Sequence, residues 1–224
     1  MEAIINCFKR QAWANIFTIY LRFLIGAAFV FSSVVKTRAD RFIGIDGSKF
    51  PINSMAHFFE TLYQSGLYWQ FIGFSQLVAG LLLMTQRFAT IGALIFYAII
   101  INIFFITLSY DFHGTPIVTG LMLLANTFLL LWDYEKLKFL FLKNISLDNF
   151  KLSYSNPIET LPLWIYIGSM LFITSVIFRL LDMNLKYWLW ACLLEGLIGF
   201  IIYSMTIKKT AYNSNLPTAG QTCE

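Results

Sequence analysis

Two sets of residues have the types and spacing to do chemistry. The first lies within long apolar runs: Arg22, Gln76, Asn102, Asn126 and Glu195. A charged group surrounded by hydrocarbon is costly unless paired. Such residues therefore serve as glue that fixes helix register, as a site for a lipid or quinone headgroup, or as a proton or ion relay. Arg22 and Glu195 have opposite charge, and the three amides both donate and accept. The second set is His57, Glu60, Asp111 and His113. His57 and Glu60 are one helical turn apart. Two imidazoles with two carboxylates suit zinc or a related metal. Nothing in the spacing makes these four converge, so they stand as candidates and no metal is assigned.

The elements that must position these residues follow from composition. The chain of 224 residues is 58% hydrophobic and 12% charged, with mean hydropathy +0.68. A soluble domain carries about 25% charged residues. A span needs about 20 apolar residues to cross about 30 Å of hydrocarbon. Six segments meet or nearly meet this, at 13–35, 67–85, 88–109, 116–132, 162–181 and 187–207. The fold class expected is all-α: a polytopic membrane protein with a four-helix bundle (1–145), a loop (146–161), a C-terminal helical hairpin (162–208) and a polar tail (209–224). Gln86-Arg87 alone joins the second and third spans, while Pro116 and Pro162 stand in first helical turns, where proline is tolerated. The first run is too long for a signal-peptide core, so it is read as a retained span. Trp13, Trp69, Trp132, Trp164, Tyr187 and Trp188 fall at span ends, as interfacial anchors do.

Lysine and arginine set the orientation. With six spans, nine basic residues fall on the side of both termini and six on the other. The bias places both termini in the cytoplasm of a bacterial inner membrane. Residues 53–65 read as an amphipathic helix on the opposite side, capped by Asn53 or Ser54 and ended by Gly66, with Met55, Phe58, Phe59, Leu62 and Tyr63 on one face. The stretch Asp133 to Lys143 mixes Lys with Phe and Leu and is expected against the inner leaflet.

Depth arithmetic links the intramembrane charges. Arg22 lies about 14 Å from the inner side and Glu195 about 12 Å from the outer, at 1.5 Å per residue. In a core of about 30 Å these depths nearly match, which suggests an ion pair. Gly73, Gln76 and Gly80 share one helix stripe. Arg22, Gly26, Phe29 and Ser33 form another that leads to Lys36, and the two stripes are expected to face each other, with Arg22 donating to the Gln76 carbonyl. Gly196 and Gly199 suggest close packing beside Glu195.

Several functions are excluded by what the sequence lacks. A net charge of +4 without a basic stripe interleaved with aromatics does not suit nucleic acid. Cys7, Cys192 and Cys223 form no CxxC or zinc spacing. Haem held between spans needs ligands within the bundle, and both histidines lie outside it. HExxH, Walker A and GxGxxG motifs are absent. No inverted repeat or paired helix interruption suggests a transporter, which stands as the weakest reading.

Two stretches resemble the DoxX family of small membrane proteins. One is Arg22-Phe-Leu-Ile-Gly26-Ala-Ala-Phe29-Val-Phe-Ser32-Ser33-Val-Val-Lys36, similar to the family's first helix. The other is Gly73-Phe-Ser-Gln76-Leu-Val-Ala-Gly80-Leu-Leu-Leu with Arg87, similar to the second helix and its turn. Gly114-Thr-Pro116 and Leu130-Leu-Trp132-Asp133-Tyr134 also resemble flavobacterial-type members. The likeness covers residues 13–142 and implies a four-helix inner-membrane bundle. Some relatives are linked to quinone-dependent thiosulfate oxidation and others to thiol redox maturation. Members often have Glu where this chain has Gln76, and Glu195 would supply the missing charge. The cysteines of the thiol-linked relatives have no counterpart, which argues against a thiol oxidoreductase acting alone.

The function expected from these readings is a non-enzymatic accessory or assembly subunit of a membrane protein complex. Its partners would be the bilayer and another membrane protein. It needs no cofactor, although a quinone or other lipid could sit at the polar cluster. The alternative is a quinone-linked redox subunit with Arg22, Gln76 and Glu195 around the headgroup.

Overall fold

The computed structural model describes residues 9, 11–110, 112–141, 158 and 161–214. The described residues form eight α-helices: α1 (Ala12–Thr37), α2 (Met55–Gln64), α3 (Leu67–Met84), α4 (Ala89–Ser109), α5 (Thr115–Trp132), α6 (Tyr134–Phe141), α7 (Pro162–Leu180) and α8 (Leu185–Ser214). Six of them (α1, α3, α4, α5, α7 and α8) are long and apolar enough to cross a membrane. The protein is an all-α, multi-pass membrane protein. Helix bounds fall within two residues of expectation except at the end of α8, whose backbone runs on to Ser214 where a polar tail was expected from 209. The expected loop at 146–161 lies almost wholly outside the described residues, as do Cys7, Asp111, Cys223 and the tail from 215.

Helix α1 is the hub. Two-thirds of its most apolar window is buried inside the protein, against 17–39% for the other five spans. It packs most extensively on α3, while α4 packs on both α3 and α5, closing a four-helix bundle. On its other side α1 receives α7, and α8 packs on α7. The hairpin therefore docks on the bundle through α7. One apolar cluster fills the bundle, including Ile25, Phe29, Ala79, Leu83, Phe96, Ile100 and Leu129. Phe29 stacks on Phe96 there, with ring centroids 3.7 Å apart. A second cluster, with Phe23, Met84, Trp164, Leu171 and Trp188, joins bundle to hairpin. The Tyr20 hydroxyl adds a 2.7 Å bond to the Gly196 carbonyl.

Small residues set the closest approaches, as they do between spans where helices lack a hydrophobic drive to associate. A Cβ on Gly80 would lie 2.7 Å from the Gly26 carbonyl oxygen, and one on Gly73 would lie 2.7 Å from Lys36 Cβ and Thr37 N. The two stripes expected to face each other do so. A Cβ on Gly168 would run into the Met84 carbonyl oxygen.

The tryptophans need correction. Trp13 and Tyr187 are exposed, but Trp69, Trp132, Trp164 and Trp188 are buried within the protein. They stand at span ends yet turn inward because each indole gains packing there. Three of the indole N–H groups find acceptors at the Asp40 carbonyl, the Ile158 carbonyl and the Ser175 hydroxyl.

Asn126 is glue of the expected kind. Its amide donates to the Ala93 carbonyl at 2.9 Å and ties α5 to α4, while its Oδ1 is buried without a partner. Interhelical bonds of this type average about 0.6 kcal/mol. Asn126→Leu removes the bond and the orphaned oxygen together, so stability measured by unfolding in mixed detergent is expected to change by less than about 1 kcal/mol. Asn102 instead faces outward and satisfies its amide within its own helix, on the Ala98 carbonyl.

Candidate functional site

Arg22 does not reach Gln76 or Glu195. Its guanidinium donates to Gln86 Oε1 at 3.0 Å and to Asp133 Oδ2 at 3.1 Å, and Arg22 is only 1% exposed. Asp133 also accepts from Thr90 Oγ1 and Lys136 Nζ, both at 2.9 Å. Burial pushes the Asp133 carboxyl up, but the Arg22 and Lys136 charges outweigh it and hold it below the usual range. The cluster ties α1, the turn after α3, the start of α4 and the end of α5 at one point. Side chains on a helix tilt toward its N-terminus. Arg22 therefore reaches back toward the start of α1, while Glu195 reaches toward the start of α8 at the opposite end of the bundle. The match of their Cα depths is undone by side chains that diverge. Glu195 accepts from the Thr174 hydroxyl across the hairpin, and its Oε2 is buried without a partner.

The same tilt gives the other end of α1 a different role. Lys36 stands in the last turn, and its side chain runs back into the bundle to donate to the Ser32 carbonyl at 2.8 Å. Its ammonium lies 4.5 Å from the Phe42 ring centroid and 5.5 Å from that of Trp69, and Lys36 is 6% exposed. Cation–π contacts of this kind partly replace lost hydration. Lys36 lines a cavity of about 460 Å³ that also holds Gln76 on its wall. Gln76 Oε1 is buried without a hydrogen-bond partner.

The rest of the cavity is mainly apolar. Helix α1 supplies Ala28, Phe29 and Ser32, α3 supplies Trp69 and Ile72, and α4 and α5 supply Ile100, Ile103, Ile106, Val118 and Met122. Thr107 and Thr119 also line it and bond each other at 2.9 Å. Amphipathic α2 lines one side of the cavity with Met55, Phe58, Phe59 and Leu62, from the apolar face read in the sequence. Ser54 caps α2, accepting from the His57 N–H at 3.3 Å.

A clasp holds α2 in place. Glu60 receives both Arg41 Nε and Nη2, at 2.9 and 3.0 Å, along with the Gly47 N–H and the Gln64 amide, both at 3.2 Å. Glu60 is thus taken by Arg41 and is not offered to a metal. His57 Nδ1 is buried without a partner, and His113 sits exposed in the turn before α5. Among the described residues, no group of three or more metal-ligating side chains forms.

The Arg41 guanidinium and the Gly47 N–H hold the Glu60 carboxyl below its usual range. A depressed carboxyl pKa contributes stability that is complete above the ordinary value and lost as pH falls through the lower, folded value. Protease sensitivity of residues 41–66 is therefore expected to stay flat from neutral pH down to the ordinary glutamate value and to rise progressively below it. Glu60→Gln should show the acid sensitivity already at neutral pH. An equal rise in wild type and variant would remove the clasp from the account.

Sequence reasoning missed Gln86, Asp133, Arg41 and the cavity itself. Asp133 did carry a signal, since it directly follows a span that ends on the side toward which Arg22 leans. Lys36 carried one too, as the end point of the Arg22–Ser33 stripe.

Over 68 residues the chain is 40% identical to the uncharacterized protein YwoB of Bacillus subtilis (strain 168). The matched stretch is 30% of this chain and 43% of that protein, so the chain spans less than half the length of the relative it matches. No family model matches the chain, and no solved structure matches it.

Proposed function

We propose that the protein is a non-enzymatic accessory subunit of the membrane whose four-helix bundle holds a lipid-like ligand. The observation that carries this reading is the cavity of about 460 Å³, within the usual range for ligand sites, with Lys36 and Gln76 on a mainly apolar wall. Among the described residues its polar lining is one lysine, one glutamine, one serine and three threonines. That set binds and orients a headgroup, and it lacks the His–carboxylate pairing by which general acid–base sites are most often built.

The likeness of Arg22–Lys36 and Gly73–Arg87 to DoxX helices supports placing the bundle among those inner-membrane proteins. The basic bias supports termini on the cytoplasmic side, with α2 and the cavity at the outer leaflet.

The reading is tested by purification in mild detergent, followed by native mass spectrometry and lipid extraction of wild type and of Met122→Trp, which fills the cavity. A bound amphiphile present in wild type and missing from the variant is the expected result. Equal retention by both would sink it. Recovery of a quinone would favour a redox subunit, and a stoichiometric protein in the same spectra would identify the complex.

A further inference from the structure

We infer that the occupant of this cavity is a single-chain amphiphile with an anionic oxygen headgroup, of the free fatty acid class, seated on Lys36 and Gln76. The inference rests on the cavity being a ligand site and adds the chemistry of the ligand.

Charge is the first argument. The Lys36 ammonium is buried, and among the described residues no carboxylate lines the cavity. A carbonyl and two ring faces satisfy part of the ammonium, and among the described residues no carboxylate is paired with it. An ammonium removed from water favours an anionic acceptor over a neutral one.

Register is the second. Gly73 packs on Lys36 and Thr37, and Gly80 packs on Gly26. Gln76 lies between these contacts, level with Ser32 and Ser33, which is the level the Lys36 ammonium reaches by bonding the Ser32 carbonyl. The buried amide and the ammonium thus face one headgroup. The amide's oxygen and nitrogen are interchangeable by rotation, so Gln76 can donate to a carboxylate there.

Size is the third. At about 460 Å³ the cavity lies in the lower half of the range of small-molecule sites. That fits one acyl chain packed along Ile100, Ile103, Ile106, Val118 and Met122.

Trp69 lines the cavity and reports occupancy. Dibromostearate added to the full chain in detergent is expected to quench fluorescence saturably, with the quenched fraction lost in Trp69→Phe. Stearate should compete and octadecanol should not. Lys36→Met should weaken binding about tenfold, as loss of a bond to a charged group does. Competition by octadecanol equal to that by stearate would overturn the acidic headgroup while leaving a lipid site. Unchanged binding to Lys36→Met would do the same. If that variant fails to fold, competition on wild type decides alone. Absence of saturable quenching by both dibromostearate and a brominated octadecanol would overturn the cavity as a ligand site altogether.

Discussion

Arg22→Ala is expected to cost the fold about 3–5 kcal/mol, the usual penalty for stripping one partner from a buried ion pair. The substitution leaves Asp133 buried beside Thr90 with, among the described residues, only the half-exposed Lys136 to balance it, and leaves Gln86 without its donor. Asp133→Asn should cost less, because a neutral amide still accepts from Arg22. Replacing both members by apolar residues of similar volume, as in Arg22→Met with Asp133→Leu, should recover most of the loss, since well-packed apolar pairs match or exceed buried ion pairs. Unfolding in mixed detergent of the two single variants and the double variant gives the coupling. A double variant as unstable as Arg22→Ala would show that the guanidinium holds α1 by something other than this pair.

Gly168→Leu is expected to undock the hairpin. The glycine lets α7 press against the last turn of α3, where a Cβ would strike the Met84 carbonyl and lie 3.0 Å from Phe23 Cε1. Backbone cannot swing aside as a side chain can, so relief requires moving the whole helix. Overpacking of this kind costs about 1–3 kcal/mol. That loss falls on a contact surface separate from the bundle's own core. A bifunctional thiol crosslink between cysteines placed at Tyr20 and Gly196, where α1 and α8 meet, should fall severalfold in the Gly168→Leu background, with Gly168→Ala between. An undiminished crosslink would mean that α7 is held by contacts other than this close approach.

The spans were legible in the sequence because hydrocarbon thickness fixes both length and composition, and few patterns satisfy both. The facing of α1 and α3 was legible for a similar reason. Gly26, Gly73 and Gly80 recur at helical spacing, and small residues are what close contact between spans demands. Pairing was not legible. Arg22 and Glu195 match in Cα depth, but each side chain extends about a turn toward its own helix start, and the two helices start at opposite ends. Proximity along the chain misled as well. Glu60 has His57 one turn away, yet the residue that claims it is Arg41, 19 positions earlier. The cavity is a volume left where four helices and α2 fail to meet, and no single residue encodes it. Gln76 and Lys36 pointed to it, Lys36 as a charge at the end of a stripe that runs from Arg22 through glycine, phenylalanine and serine.

The Arg22–Asp133 pair also sets a schedule for assembly. The two residues are 111 positions apart, so α1 enters the bilayer long before its counter-charge has been synthesised. Until α5 has emerged, the first span carries a cation whose cost at span depth is about 2.5–3.5 kcal/mol on insertion scales. Completion of the fourth span discharges it, and only then does α1 become a settled surface on which the late hairpin can dock.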